Sequence, residues 1–173
     1  EAYTTIARFG SHMPLTYLTS VTDLQGKILY EHIPNVTEVY SASKVAIVIG
    51  MMKQTIENGT GQLARLMGFS LPAAGKTGTT SESKDAWFAG FTPHLVAVSW
   101  VGFDDNRSHN LTGASGALPI WTHFMKSYAT RFPADDFSWP EDVETKTFSI
   151  YELEDLGITA EDADKMGEIE LVF

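Results

Sequence analysis

The sequence predicts an α+β fold, an antiparallel sheet flanked by helices on both faces. Two observations carry this. Apolar side chains recur at steps of three and four over residues 42–57 and again over about 115–130, the period of a helix with one buried stripe. Between them lie three short β-prone stretches, 73–80, 85–91 and 95–103, apolar on both faces. A sheet apolar on both sides needs cover on both sides. The turn Thr92-Pro93-His94 joins the second and third of these stretches.

Taken in order, residues 1–9 place Ala2, Tyr3, Ile6 and Ala7 on one helical face, and Gly10 stops the helix. The pattern is already running at Glu1, as expected of a helix that starts upstream. Leu18 to Tyr30 reads as two strands around Asp23-Leu24-Gln25-Gly26, a hairpin with glycine at its turn. Ser41 is placed to cap the helix over 42–57, whose stripe is Val45, Val48, Ile49, Met52 and Ile56. Asn58-Gly59 ends it. Residues 60–70 form a loop or a short helix. The three strands follow, with Trp87, Phe88 and Trp100 as core aromatics. The last helix buries Trp121, Phe124, Met125 and Tyr128, and tolerates Pro119 in its first turn.

The composition of 173 residues, 43% hydrophobic, supports one domain with a real core. The net charge of −10 is unevenly placed: residues 1–133 hold 10 basic and 9 acidic side chains, residues 134–173 hold 2 and 13. That divides the chain into a domain over 1–133 and an acidic C-terminal extension over 134–173, read as solvated and partly flexible, with a docking surface for a basic partner as the lesser alternative. With no basic stripe, nucleic acid is not an expected partner. The longest apolar run, Val45 to Met52, is far too short to span a bilayer. There are no cysteines, which rules out disulfides and thiol catalysis. The five histidines make no metal-binding spacing, so neither metal nor cofactor is expected.

The chemistry concentrates in Gly75-Lys76-Thr77-Gly78-Thr79-Thr80. Lys76 supplies positive potential for an anion, and Gly78 lets a second backbone approach as a peptide adds to the strand. Thr77 and Thr79 offer hydroxyls, and a strand amide such as that of Thr79 can stabilise an oxyanion. Taken alone, the tripeptide Lys76-Thr77-Gly78 fits a surface strand with a lysine equally well.

Its surroundings add to it. Ala74 to Thr80, then Asp85-Ala86-Trp87-Phe88-Ala89-Gly90-Phe91 and Trp100-Val101-Gly102, resemble the last part of a class A penicillin-binding protein transpeptidase domain. Ala2 to Ala7, Pro14-Leu15 and Asp23 to Tyr30 resemble the family's helix and following hairpin, and Glu57-Asn58-Gly59-Thr60-Gly61 its Gly-Thr-Gly segment. Gly113-Ala114-Ser115-Gly116-Ala117 with Trp121 resembles the last helix of the 1B-like members, all in the expected order over about residues 1–130. The resemblance implies the penicillin-binding and serine β-lactamase-like fold. It also implies a peptidoglycan D,D-transpeptidase that acts through a serine acyl-enzyme on D-Ala-D-Ala stem peptides and is acylated by β-lactams. Lys76 and Thr79 would share in catalysis, and Lys76, Thr77, Gly78, Thr79 and Thr80 would bind substrate. Such enzymes work in the periplasm or at the outer face of the cytoplasmic membrane, anchored here by a segment not in this chain. The parent would be a bifunctional glycosyltransferase/transpeptidase.

Three motifs converge in such sites, Ser-x-x-Lys, Ser-x-Asn and Lys-Thr-Gly. Ser41-Ala42-Ser43-Lys44 spells the first, but only 35 positions before Lys76 and with no Ser-x-Asn between. In the family the nucleophile lies far upstream, so Ser41 reads as a helix cap. The chain is then expected to form one wall of the site, with the serine in an upstream part of the same domain, either in one chain or as a separate one. A non-catalytic penicillin-recognising sensor or scaffold, or a D,D-carboxypeptidase, is the competing reading. Asp85 is expected to pair with Lys84 or to cap the hairpin.

Overall fold

A computed structural model describes residues 1–131, 135–155 and 169–173. Helix α1 (Ala2–Ala7) is capped at Arg8, two residues before the expected stop at Gly10, whose φ of 91° only glycine adopts freely. Strand β1 (Ser11–His12) pairs with β4 (Thr37–Glu38), and the hairpin β2 (Ser20–Thr22) and β3 (Ile28–Glu31) stands between them in sequence. Asp23 fixes its turn, its Oδ1 accepting from the amides of Gln25 and Lys27 at 2.9 Å each. Helix α2 (Ala42–Glu57) has the bounds that its periodicity predicts. Ser41 is its N-cap by position, although its hydroxyl makes no capping bond.

A short helix, α3 (Leu63–Leu66), leads to the central sheet of β5 (Ala74–Thr79), β6 (Asp85–Phe91) and β7 (Val96–Gly102), in the order β5-β6-β7 and antiparallel throughout. The register sets Thr77 opposite Phe88, and Gly78 opposite Trp87, which in turn faces Trp100. Pleating therefore places Gly75, Thr77 and Thr79 on the face of Ala86 and Phe88, and Lys76 and Gly78 on the face of Trp87 and Trp100.

The face of Phe88 is closed by α4 (Leu118–Ala129), which follows a π-helical turn, Gly113–Ala117. The sequence predicts one helix from 115. Pro119 has no amide to return to residue 115, and the wider turn, in which the Leu118 amide reaches the Gly113 carbonyl, takes up the break. Leu118, Trp121 and Met125 bury against Phe88, Phe69 and Ile56. The Trp121 ring meets Phe88 and Phe69 edge-on, with centroids 4.9 and 5.3 Å away, a geometry that favours the ring quadrupoles. Phe124, at the edge of the predicted stripe, is exposed, as is Val48 on α2.

The opposite face is covered at one end only. There α1, with Val45 and Ile49 of α2, packs on Ala74, Phe91 and Val96. Helices thus flank both faces, but cover stops short of Trp87 and Trp100, which stay 43% and 44% exposed. Their assignment to the core is corrected: only Phe88 of the three is buried. On a strand, Trp87 and Phe88 must point to opposite faces, and the helices over the outer one, α1 and α2, pack at its Ala74–Phe91–Val96 end rather than over Trp87.

The acidic extension also departs from expectation. The boundary at 133 falls on residues 132–134, outside the described residues, as do residues 156–168. Most of its described side chains are exposed, but a few anchor it to the domain. Phe137 enters the cluster of Val45, Ile49 and Phe91, with Trp139 against it. Strand β8 (Thr145–Phe148) pairs with β9 (Ile169–Val172), while α5 (Ile150–Asp155) lies between them in sequence. Strand β9 rests on α2 at Gly50, where an added Cβ would come 2.6 Å from Val172 Cγ2. Lys53 ties the layer down, its ammonium 3.2 Å from Glu170 and 3.9 Å from Asp136.

Candidate active site

Strand β5 carries the Lys76–Thr80 motif along an edge, for among the described residues only β6 pairs with it. The Thr80 amide donates to the Asp85 carbonyl across the β5–β6 pair, 3.1 Å. Main-chain groups alternate in direction along an antiparallel edge, so those of Thr79 and Thr77 point outward, away from β6. Two amides and two carbonyls thereby offer an extended segment a strand to pair with.

Lys76 begins on the outer face, yet its ammonium comes round the open edge to Thr77. Its Nζ donates to the Thr77 carbonyl at 3.1 Å and to Thr77 Oγ1 at 3.3 Å. Thr77 Oγ1 in turn lies 2.8 Å from Thr60 Oγ1. A cation and two hydroxyls thus meet at one point of the edge. Thr60 is held there by the end of α2: the Gly61 amide bonds the Thr55 carbonyl at 2.7 Å, and the Gln62 amide bonds the Gly59 carbonyl at 3.0 Å.

The other two threonines are tied differently. Thr79 Oγ1 accepts from the Gly113 amide at 2.9 Å, joining β5 to the π-helical turn. The Thr80 hydroxyl accepts from the Asp85 amide at 2.8 Å and donates to Asp85 Oδ2 at 3.2 Å, closing the β5–β6 turn. Asp85 Oδ1 accepts from Trp100 Nε1 at 2.9 Å, whereas Lys84 pairs with Glu82 at 2.7 Å. Asp85 therefore caps the turn and steadies Trp100, and the expected alternative pairing with Lys84 is not made. Sequence reasoning marked Thr60 only as part of a Gly-Thr-Gly segment and Gly113 only as part of a resemblance. Their partners lie 17 and 34 positions away, and no local pattern reveals such pairs.

Ser41 lies at the opposite end of α2 from Thr60. A 16-residue helix separates them, about 24 Å at 1.5 Å per residue. The tempting Ser41–Lys44 pair is not brought to the motif. Arg65 near the α2 end is fully engaged, bonding Glu57 and the carbonyls of Phe69 and Leu71 at 2.8 and 2.9 Å. Among the described residues no group of histidine and carboxylate side chains could hold a metal ion.

The family model described as "Penicillin binding protein transpeptidase domain" matches residues 1–117. The chain is 37% identical over 150 residues to penicillin-binding protein 1B of Vibrio cholerae, covering 86% of this chain and 19% of that protein. Its fold is similar to the crystal structure of penicillin-binding protein 1A from Haemophilus influenzae, with a TM-score of 0.75 at 24% identity, covering 86% of this chain and 28% of that one. It is also similar to the D,D-transpeptidase domain of a peptidoglycan glycosyltransferase from Eggerthella lenta, with a TM-score of 0.54 at 26% identity, covering 72% and 30%. The chain spans about a fifth of the length of the curated relatives it matches.

Proposed function

The chain belongs to the penicillin-binding protein transpeptidase domain family, and on that premise we propose that it supplies the substrate-binding wall of a peptidoglycan D,D-transpeptidase. One observation carries the reading most: the Lys76 ammonium and the Thr77 hydroxyl converge on an open strand edge whose amides face outward.

A stem peptide ending in D-Ala-D-Ala, extended and anionic at its terminus, pairs antiparallel with β5. Its carboxylate is held by Lys76 and the Thr77 hydroxyl, a charge-assisted pair of donors. The scissile carbonyl then lies near the Thr79 amide, which donates to the oxyanion as charge develops. Gly78 adds no side chain between the two backbones. Thr80 supports this through the turn that it closes with Asp85. A serine outside this chain attacks the carbonyl carbon, and the amine of the terminal D-Ala leaves with a proton. An amine of a second stem peptide then takes the acyl group and frees the serine. β-Lactams present the same carboxylate and a strained amide, and acylate the same serine.

The nucleophile and its lysine belong to an upstream part of the same domain, and a bifunctional glycosyltransferase/transpeptidase is the proposed parent. Its site faces the periplasm or the outer side of the cytoplasmic membrane. No described helix is long and apolar enough to cross a membrane, so an anchor would lie elsewhere in the parent. Residues 134–173 form a C-terminal extension to this domain. A fluorescent penicillin tests the reading. Covalent labelling is expected only when the upstream segment is present with this chain. Labelling of the isolated chain at Ser41 would overturn it, and an unlabelled complete domain would favour a non-catalytic sensor.

A further inference from the structure

We propose that Thr60 is a positioning residue, which turns the Thr77 hydroxyl into a donor for the substrate carboxylate. The proposal rests on the reading of β5 as the substrate-binding strand. It begins from the 2.8 Å contact between the two hydroxyls.

A threonine oxygen has one hydrogen to give and two lone pairs to fill. Lys76 Nζ, 3.3 Å from Thr77 Oγ1, has no lone pair and must donate, which fills one. Two arrangements remain. Thr77 gives its hydrogen to Thr60, or Thr60 gives its own to Thr77. A carboxylate arriving at the open edge accepts only, and so decides between them. The Thr77 hydrogen turns to the carboxylate, and the Thr60 hydrogen fills the second lone pair of Thr77. The result is a directed chain from Thr60 to Thr77 to the anion, in which each donor strengthens the next.

Thr60 is suited to this because its backbone is immobilised while its side chain is exposed. Gly59 and Gly61 lie so close to the last turn of α2 that an added Cβ would come within 3.0 and 2.9 Å of the Thr55 carbonyl oxygen. The flanking glycines draw the loop tight onto the helix, and the hydroxyl between them has a fixed address. Without Thr60, Thr77 keeps the lysine bond but loses the donor that fixes its direction.

The test is the rate of acylation of a protein carrying the whole transpeptidase domain, measured with benzylpenicillin and with its methyl ester, which has no carboxylate charge. The acid-to-ester ratio cancels any difference in folded fraction. Thr60→Val, close in shape but without a hydroxyl, is expected to lower the ratio about tenfold, the loss of one hydrogen bond relayed to a charge. Thr60→Ser is expected to keep it. Rates that fall equally for acid and ester in Thr60→Val would show a merely structural role and overturn the proposal. So would an unchanged ratio. If the unsubstituted protein itself fails to distinguish acid from ester, the carboxylate reading of β5 falls, and the proposal with it.

Discussion

Gly113 stands where no side chain fits. A Cβ there would come 2.4 Å from the Trp87 carbonyl oxygen and 2.7 Å from that of Gly78. These are backbone atoms of paired strands and cannot swing aside. Gly113→Ala is expected to cost about 1–3 kcal/mol, as overpacking does, read from denaturant unfolding. Because the Gly113 amide also holds the Thr79 hydroxyl, acylation of the complete domain should fall with it. A second residue-scale expectation concerns Glu82. The Lys84 ammonium, by hydrogen bond and then by charge, holds the Glu82 carboxyl below the usual carboxylate range. A depressed carboxyl favours the folded turn at pH above its unfolded value, and that contribution is lost as pH falls through the depressed value. Both side chains are open enough to solvent for the effect to be small. Lys84→Met should return the Glu82 titration, followed by carboxyl carbon NMR, to the ordinary range, whereas an unmoved midpoint would refute the cause.

At the scale of elements, α2 and the acidic extension depend on each other through Gly50. Mid-helix glycine costs about 0.5–1 kcal/mol relative to alanine, so Gly50→Ala favours the isolated helix. The same methyl would press on Val172, and β9 must lift to admit it. Faster proteolysis within residues 135–173 is expected for Gly50→Ala, and unchanged cleavage would show that β9 does not depend on this close approach. Here the limits of the sequence become physical. Helix α2 and strand β6 were legible to the residue because apolar spacing repeats over several turns or pleats. The packing of the extension was not. Its buried side chains, Phe137, Phe148, Ile169 and Val172, stand among acidic neighbours without a period. What receives β9 is a missing side chain on another element. The motif strand was legible by residue type, while the Thr60 and Gly113 contacts that orient its hydroxyls arise only on folding.

At the scale of the whole molecule, the three-stranded sheet is covered on one face and half open on the other. Among the described residues β7 pairs only with β6, and Val98 beside the two tryptophans is 54% exposed. Apolar surface of this kind beside an unpaired strand edge is costly in water. It lies on the sheet face from which Lys76 starts, and the proposed upstream part of the domain is expected to cover it. Tryptophan fluorescence separates the two faces once the fourth tryptophan, the half-buried Trp139, is replaced by phenylalanine in every protein compared. Trp121 is 1% exposed and edge-packed, so acrylamide should scarcely quench it, whereas Trp87 and Trp100 should be quenched readily in the isolated chain. Trp87→Phe and Trp100→Phe assign the accessible component. On joining this chain to the upstream part, that component should become protected and its emission should shift to the blue, as water leaves the rings. If Trp87 and Trp100 remain as quenchable as before while the complete domain binds penicillin, the upstream part docks elsewhere, and the open face serves something other than completion of the domain.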